Sequence, residues 1–185
     1  SYSLEGEQQE QGQNLKSIGK NFLLAMVVVY MLLAIPFKSY FQPLVVMSSI
    51  PFGLTGAMLG HLFMGINFSV LSLMGVVALT GVVVNDSLVM VDFINRYRRE
   101  GNSITNAVLE AGPRRFRPIF LTSLTTFVGL IPLLLEKSAQ AKFLIPMAVS
   151  LSFGVIFATA ITLFIVPVGY LILEKYILKT EKVNL

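Results

Sequence analysis

The chain has 185 residues, of which 55% are hydrophobic and only 13% are charged, with a formal net charge of +4. Ordinary soluble domains carry about 25% charged residues, so this composition indicates a membrane protein. The lack of cysteine excludes disulfides and thiolate chemistry, and a single histidine, His61, argues against a histidine-rich metal site, so no metal site is predicted.

The predicted elements follow from the length of the apolar stretches. A helix needs about 20 apolar residues to cross a bilayer, and its backbone bonds internally. The polar segment 1–13 lacks a signal-peptide pattern and is predicted to be the end of an outer segment of a larger protein. Residues 14–185 are predicted to form an all-α transmembrane bundle of about five helices. The predicted spans are 15–37, 41–64, 68–96, 115–135 and 142–174, with a cytoplasmic loop at 97–114.

The distribution of basic residues predicts the orientation, because Lys and Arg collect on the cytoplasmic side. An N-terminus outside and a C-terminus inside place ten of the fourteen basic residues inside, all six arginines among them. The inner set is Lys38, Arg96, Arg98, Arg99, Arg114, Arg115, Arg117, Lys175, Lys179 and Lys182. An odd number of spans agrees with this orientation.

The second predicted span ends in small residues and the single histidine. Gly56 and Gly60 have the spacing that lets two helices approach closely, so both are predicted to serve helix packing. His61 follows at the outer membrane surface and is predicted to be a solvated interfacial histidine rather than a ligand or proton relay.

The third predicted span contains a carboxylate within an apolar run. Asp86 follows Asn85, and an ionisable group inside a membrane helix is costly and suggests function. Desolvation favours the neutral carboxyl, which fits proton exchange; the alternative is a carboxyl that only hydrogen-bonds a neighbouring helix. Asp92 is interpreted as a helix-end charge that pairs with Arg96 at i+4.

The segment after the third span is basic and its helical pattern is amphipathic. It is predicted to be a short cytoplasmic helix with Ile104, Ala107, Val108 and Ala111 on one side. Its basic residues serve topology and lipid headgroups. Nucleic-acid binding is the poorer explanation, because the same loop must lie against the membrane.

Four hydroxyls occur in the fourth predicted span: Thr122, Ser123, Thr125 and Thr126. Thr122 and Thr126 share one helix face. These hydroxyls could bridge to other helices, or they could bond to carbonyls of their own helix; the sequence leaves both possibilities open.

Several enzyme classes lack their residues here. The sequence contains no P-loop, which excludes ATP-driven transport within this chain, and no GxSxG motif. Asp86 and Asp92 lie six residues apart on one helix and do not face each other, so an aspartyl dyad would need a partner from elsewhere. The chain is therefore predicted not to be an enzyme.

The sequence resembles a known transporter family. "GVVVNDSLVMVDFINRYRREG" followed by "GPRRFRPIFLTSLTTFVGLIPLLL" resembles the tenth and eleventh transmembrane helices of RND-superfamily exporters of the acriflavine-resistance type. "AIPFKSYFQPLVVMSSIPFGLTGAMLGHLFMG" is similar to their eighth-to-ninth helix junction, and "FLIPMAVSLSFGVIFATAITLFIVPVGYLILE" is similar to their last helix. The resemblance covers nearly the whole chain and implies half of an RND transmembrane domain, helices eight to twelve.

The resemblance implies a bacterial inner-membrane antiporter that expels amphiphilic compounds, with the proton motive force as energy source and no cofactor. The implied partners are the lipid bilayer, the N-terminal half of the transporter, two further copies in a homotrimer, a periplasmic adaptor and an outer-membrane channel. Arg115 and Thr122 fall where the family places proton-relay residues. Asn85 falls where many members carry a lysine, and Asp86 follows it, so these four residues form the predicted relay.

Two other functions fit the same residues. The chain could be a non-catalytic helical bundle whose polar residues specify pairing with a partner chain. It could also belong to an RND-fold relative that exports lipids or proteins. The protonation behaviour of Asp86 separates the first alternative from a proton-coupled exporter, and the sequence of the periplasmic domain separates the second.

Overall fold

The structure is a computed structural model that describes residues 2–138 and 140–175, and it describes the side chains of residues 12, 13 and 16 onward within those ranges. Every regular element in them is a helix: α1 (Tyr2–Phe37), α2 (Gln42–Met47), α3 (Ile50–Met64), α4 (Val70–Arg99), α5 (Ile104–Leu135) and α6 (Ala141–Leu173). Lys179 and Lys182 lie outside the described residues.

Among the described residues, five helical stretches are long and apolar enough to cross a membrane, which confirms the predicted all-α bundle of five spans. They are Lys16–Phe37, Gln42–Met64, Val70–Arg99, Ile104–Leu135 and Ala141–Leu173. The second contains both α2 and α3. The polar N-terminal segment is helical as well, because α1 continues from it into the first span without a break.

The connection between α4 and α5 is shorter than the loop predicted at 97–114. Only residues 100–103 separate the two helices. The amphipathic segment is the first part of α5 rather than a separate helix, because Ser103 caps it and Ala107 and Ala111 are fully buried against the core. Helix bounds do not locate the membrane surface, so the cytoplasmic position of 97–114 stays a prediction.

The second span is interrupted at Ser48 and Ser49. The Ser49 hydroxyl donates to the Val46 carbonyl at 2.6 Å and lies 2.9 Å from the Ser87 hydroxyl of α4. Pro51 stands in the first turn of α3, where its missing N–H costs no hydrogen bond. The interruption is therefore satisfied by side chains, and it ties α2 and α3 to the middle of α4.

Helix α6 lies at the centre of the bundle and packs on α2, α3, α4 and α5. Two clusters of buried apolar side chains follow its length. One includes Val166 and Tyr170 together with side chains from α1, α2, α4 and α5, and the other joins Val155 and Ala158 to α3 and α4. Helix α1, in contrast, is exposed along most of its span.

Glycines allow α3 to lie against α6. A Cβ on Gly56 would collide with the Cβ of Phe157, and one on Gly60 would collide with the Cβ of Phe153. Both glycines therefore lie where the two backbones approach most closely. Helix association in lipid depends on such van der Waals packing, because lipid tails are as apolar as the side chains.

Candidate functional site

The candidate site lies between α4 and α5, around Asp86. Twelve α4 residues are buried, and Asp86, with 4% of its surface exposed, is the only carboxylate among them. One carboxylate oxygen, Oδ2, is buried and has no hydrogen-bond partner among the described residues. No described ion pair involves Asp86. A buried carboxyl without a cation depends on the polar groups that neighbouring helices bring to it.

Thr122 of α5 supplies such a group, since its side chain lies near the Asp86 carboxyl and interacts with it electrostatically. The same hydroxyl donates to the Ile119 carbonyl at 2.8 Å. A hydroxyl carries one donor and two acceptor positions, so it can change partners by rotation. The structure thus brings two of the predicted relay residues together.

Arg115 lies on the same contact between α4 and α5, nearer the connecting turn. Its guanidinium carbon is 4.9 Å from the centroid of the Phe93 ring, and its Nε is buried without a partner among the described residues. Phe93 follows Asp86 by seven residues and Arg115 precedes Thr122 by seven, as antiparallel packing requires. Seven helical residues span about 10 Å, so Arg115 is two turns from the carboxyl and is not its ion partner.

Asn85 lies apart from the other three predicted relay residues. Its side chain is exposed and lines an apolar groove between α1 and α4. Adjacent helical residues point about 100° apart, which explains why Asp86 faces α5 while Asn85 does not. The structure therefore does not bring Asn85 into the Asp86–Thr122 contact.

The hydroxyls of α5 bond both to carbonyls of their own helix and to another helix, the two possibilities that the sequence leaves open. Thr125 donates to the carbonyls of Leu121 and Thr122, and Thr126 donates to the carbonyl of Thr122, all within their own helix. Ser123 also donates to its own helix, but its hydroxyl in addition lies 2.5 Å from that of Thr159 in α6. One hydroxyl thus links α5 to the central helix.

Asp92 has the surroundings that the sequence predicts. Its carboxylate pairs with Arg96 at 2.7 Å, and 37% of its side chain is exposed. Asp92 is therefore an exposed helix-end charge, in contrast to the buried Asp86.

The prediction of a solvated His61 is wrong. The imidazole is 5% exposed; its Nδ1 lies 2.9 Å from the Ala57 carbonyl and its Nε2 lies 2.8 Å from the Ser72 hydroxyl. Gly65, in a left-handed conformation, ends α3, and the chain then returns so that the first turn of α4 covers the ring. The position of His61 near the end of a span did not predict this burial, because Ser72 is eleven residues away.

Sequence reasoning also missed a polar cluster at the end of the bundle where α1, α4 and α6 finish. This Tyr170 cluster consists of Gln42, Asn95, Arg98, Tyr170 and Glu174. The amides of Gln42 and Asn95 bond reciprocally at 2.8 and 3.3 Å, and the Tyr170 hydroxyl donates to Asn95 at 2.6 Å. Arg98 donates to Tyr170 at 3.4 Å and pairs with Glu174 at 2.6 Å. Sequence separations of 53 to 128 residues left no local pattern that could have predicted it.

The five long apolar helices of the described residues define the class of protein, a multi-pass helical membrane protein. The chain belongs to the AcrB/AcrD/AcrF family, and the match to this family covers residues 1–174.

Named relatives agree with this assignment. The multidrug resistance protein MdtC of Erwinia tasmaniensis is 34% identical over 154 residues, which cover 83% of this chain and 15% of MdtC. MdtC of Pectobacterium atrosepticum is 34% identical over 169 residues, covering 91% and 16%. The crystal structure of a heavy metal efflux pump matches with a TM-score of 0.81 and 26% identity, over 90% of this chain and 16% of the pump. The chain therefore spans about one sixth of the length of these relatives.

Proposed function

We propose that this chain is helices eight to twelve of a proton-coupled RND exporter of amphiphilic compounds, the acriflavine-resistance type. The observation that carries the proposal is the buried Asp86 carboxyl beside the Thr122 hydroxyl, with one oxygen unpartnered. A carboxyl that binds and releases a proton must change its hydrogen bonds each time. A neighbouring hydroxyl, which both donates and accepts, permits that change without a fixed ion pair.

The chain's role is to supply part of the proton relay and to convert protonation into movement of α4 against α5. Arg115 contributes a positive charge on the same contact, two turns from the carboxyl. Asn85 replaces the lysine of many family members, so Asp86 takes a role that an ion pair with the N-terminal half fills elsewhere.

The remaining parts of the proposal concern the complete transporter. The N-terminus is periplasmic and the C-terminus cytoplasmic, in a bacterial inner membrane. The N-terminal half of the transporter completes the bundle, and three copies work with a periplasmic adaptor and an outer-membrane channel. The names of the MdtC relatives support a multidrug substrate range, whereas the heavy metal pump shows that the same architecture also serves another cargo.

Transport by the full-length protein tests the relay. We expect Asp86→Asn to abolish proton-driven efflux, because the amide keeps the shape but cannot titrate. Thr122→Val or Thr122→Ala is expected to reduce efflux by at least tenfold, while Thr122→Ser keeps the hydroxyl and most of the activity. Efflux is measured as accumulation of a fluorescent amphiphile in cells and as proton-driven uptake in inverted vesicles.

Asp92→Asn is the matched control, since it makes the same chemical change six residues along the same helix in an exposed ion pair. Its efflux should match that of the wild type. If Asp86→Asn and Thr122→Ala both showed wild-type efflux at equal expression, the relay assignment would be abandoned. That result would favour a helical bundle whose polar residues only specify pairing with partner helices.

A further inference from the structure

Two hydroxyls of α5 share one backbone carbonyl. The Thr122 hydroxyl donates to the Ile119 carbonyl at 2.8 Å, and the Ser123 hydroxyl donates to the same oxygen at 3.1 Å. The helix supplies a third donor, because the backbone N–H of Ser123 stands four residues after Ile119. A carbonyl oxygen has two lone pairs, so the two hydroxyls compete for the one that the backbone leaves free.

The Ser123 hydroxyl is also bonded to a second helix. It lies 2.5 Å from the hydroxyl of Thr159 in α6, and both side chains are buried. Each hydroxyl carries one hydrogen, and that of Ser123 is directed at Ile119. The hydrogen between the two hydroxyl oxygens therefore comes from Thr159, which has no other side-chain hydrogen bond among the described residues. Thr159 thus holds Ser123 in the orientation that donates to Ile119.

The surroundings of this Ser123–Thr159 pair favour its hydrogen bond. Both side chains lie at a pocket of about 410 Å³ between α5 and α6, and they are the only polar side chains among its lining residues. The rest of the lining consists of glycine, proline, alanine and larger apolar residues. A hydroxyl that lost its partner in such surroundings would stay unsatisfied at a high free-energy cost. The two hydroxyls therefore remain bonded to each other.

The α4 side of the relay contact is held separately. Ser87, the residue after Asp86, is fully buried; its hydroxyl donates to the Val83 carbonyl at 2.8 Å and lies 2.9 Å from the Ser49 hydroxyl. This bond fixes the rotation of α4 directly beside the carboxyl. The adjustable member of the contact is therefore Thr122, whose hydroxyl can bond either its own helix or Asp86.

We propose that Ser123 and Thr159 are positioning residues of the proton relay, which leave the Thr122 hydroxyl available to the carboxyl. Thr159 donates to Ser123, and Ser123 in turn competes for the carbonyl of Ile119. Thr122 therefore exchanges its bond to its own helix readily for one to Asp86. Without the Ser123 hydroxyl, Thr122 would hold the Ile119 carbonyl alone and turn away from it less often. The inference rests on the proposed function, since it presupposes that Asp86 and Thr122 belong to the relay.

Proton-driven efflux by the full-length transporter tests this role. Ser123→Ala combined with Thr159→Val replaces both hydroxyls by apolar groups of similar shape, a change that is nearly neutral for stability. We expect an unchanged Tm, but efflux about three- to tenfold lower at equal expression, the factor that corresponds to one hydrogen bond between membrane helices. The KM for a fluorescent amphiphile should stay unchanged, because neither hydroxyl is assigned a contact with the substrate.

Two single variants separate the hydroxyl from packing. Thr159→Ser keeps the hydroxyl and loses only a methyl group, so it should retain most of the wild-type efflux. Thr162→Val is the matched control, because it removes a buried hydroxyl of the same helix that has no partner among the described residues. Its efflux should equal that of the wild type. If Thr159→Ser or Thr162→Val lost as much efflux as the double variant, with a lowered Tm, the pair would serve helix packing only and the proposal would be overturned.

A Thr122→Val background shows whether the pair acts through Thr122. There, the added double substitution should lower the residual efflux in inverted vesicles no further, because residues that act through one group are not additive. A further loss by the same factor as in the wild-type background would show an independent structural effect and contradict the positioning role.

The failure of this inference differs from the failure of the proposed function. Wild-type efflux in the double variant, together with reduced efflux in Thr122→Ala, would overturn the positioning role and leave the relay assignment intact. Wild-type efflux in both Asp86→Asn and Thr122→Ala would remove the relay assignment, and the positioning role with it.

Discussion

Asp86 and Asp92 are chemically identical side chains on one helix, and their surroundings give them different roles. Asp92 is exposed and neutralised by Arg96 at 2.7 Å. Asp86 is buried, has no ion pair among the described residues, and interacts with the Thr122 side chain. A carboxylate within a membrane helix costs about 2.5–3.5 kcal/mol on insertion scales. That cost fits a residue kept for its chemistry better than one kept for packing.

At the same scale, the contact of Arg115 with the Phe93 ring predicts a measurable coupling. A cation over an aromatic face contributes about 0.5–2 kcal/mol. A double-mutant cycle with Phe93→Leu and Arg115→Gln should give a coupling free energy in this range for thermal unfolding of the detergent-solubilised protein. Phe143→Leu, at an exposed position of α6, serves as the uncoupled partner. Strict additivity of Phe93→Leu and Arg115→Gln would contradict the contact.

The helices themselves show what small residues do in this bundle. Gly56 and Gly60 let α3 lie directly on α6, and Gly75 does the same for α4 beside the Met147 carbonyl. Larger side chains would separate these backbones and lose the close packing that holds membrane helices together. The position of α4 relative to α6, and with it the position of Asp86, depends on these contacts.

Gly60→Ala is predicted to destabilise the bundle. Its Cβ would collide with Phe153, and overpacking of this kind costs about 1–3 kcal/mol. The midpoint of thermal unfolding should fall by several degrees. Gly129→Ala is the matched control, because nothing lies within 4 Å of its Cβ and alanine favours a helix more than glycine does. Equal unfolding temperatures for the two variants would refute the close approach of α3 and α6.

The Tyr170 cluster joins the ends of α2, α4 and α6 and predicts a second effect on stability. Tyr170→Phe removes the hydroxyl that donates to Asn95 and accepts from Arg98. The expected loss is about 1 kcal/mol in the free energy of unfolding, since hydrogen bonds in membrane proteins contribute about 0.6 kcal/mol and reach about 1.7. Tyr40→Phe, at a side chain that is 77% exposed, should change stability little. The reverse order of the two effects would contradict the assigned bonds.

The whole molecule was predictable in its outline and unpredictable in its contacts. Five spans follow from the length of the uncharged stretches, and the pairing of Asp92 with Arg96 follows from helical spacing. Contacts across the bundle depend on how the helices are rotated and aligned, which no local pattern gives. For this reason, the sequence did not predict the burial of His61 against Ser72 or the hydrogen bond between Gln42 and Tyr170. The rotation of α4 also decides which of Asn85 and Asp86, about 100° apart on the helix, faces α5.

The proposed topology is testable because the sequence contains no cysteine. In the full-length protein, Ser138→Cys lies between α5 and α6 and should react with a membrane-impermeant maleimide added to intact spheroplasts. Asn102→Cys lies between α4 and α5 and should react only in inverted vesicles. Background labelling of any native cysteines is measured on the parent protein. Labelling of Asn102→Cys from outside would invert the orientation.

The four-residue turn between α4 and α5 limits how the Asp86–Thr122 contact can open. A connection of residues 100–103 keeps the joined ends of α4 and α5 close together. The two helices can therefore open by rotating about this turn as a hinge. Asp86 lies about 20 Å from that hinge, so a rotation of about 8° moves its carboxyl by about 3 Å, the length of a hydrogen bond. A small rotation about the short turn is therefore enough to make or break the Asp86–Thr122 contact.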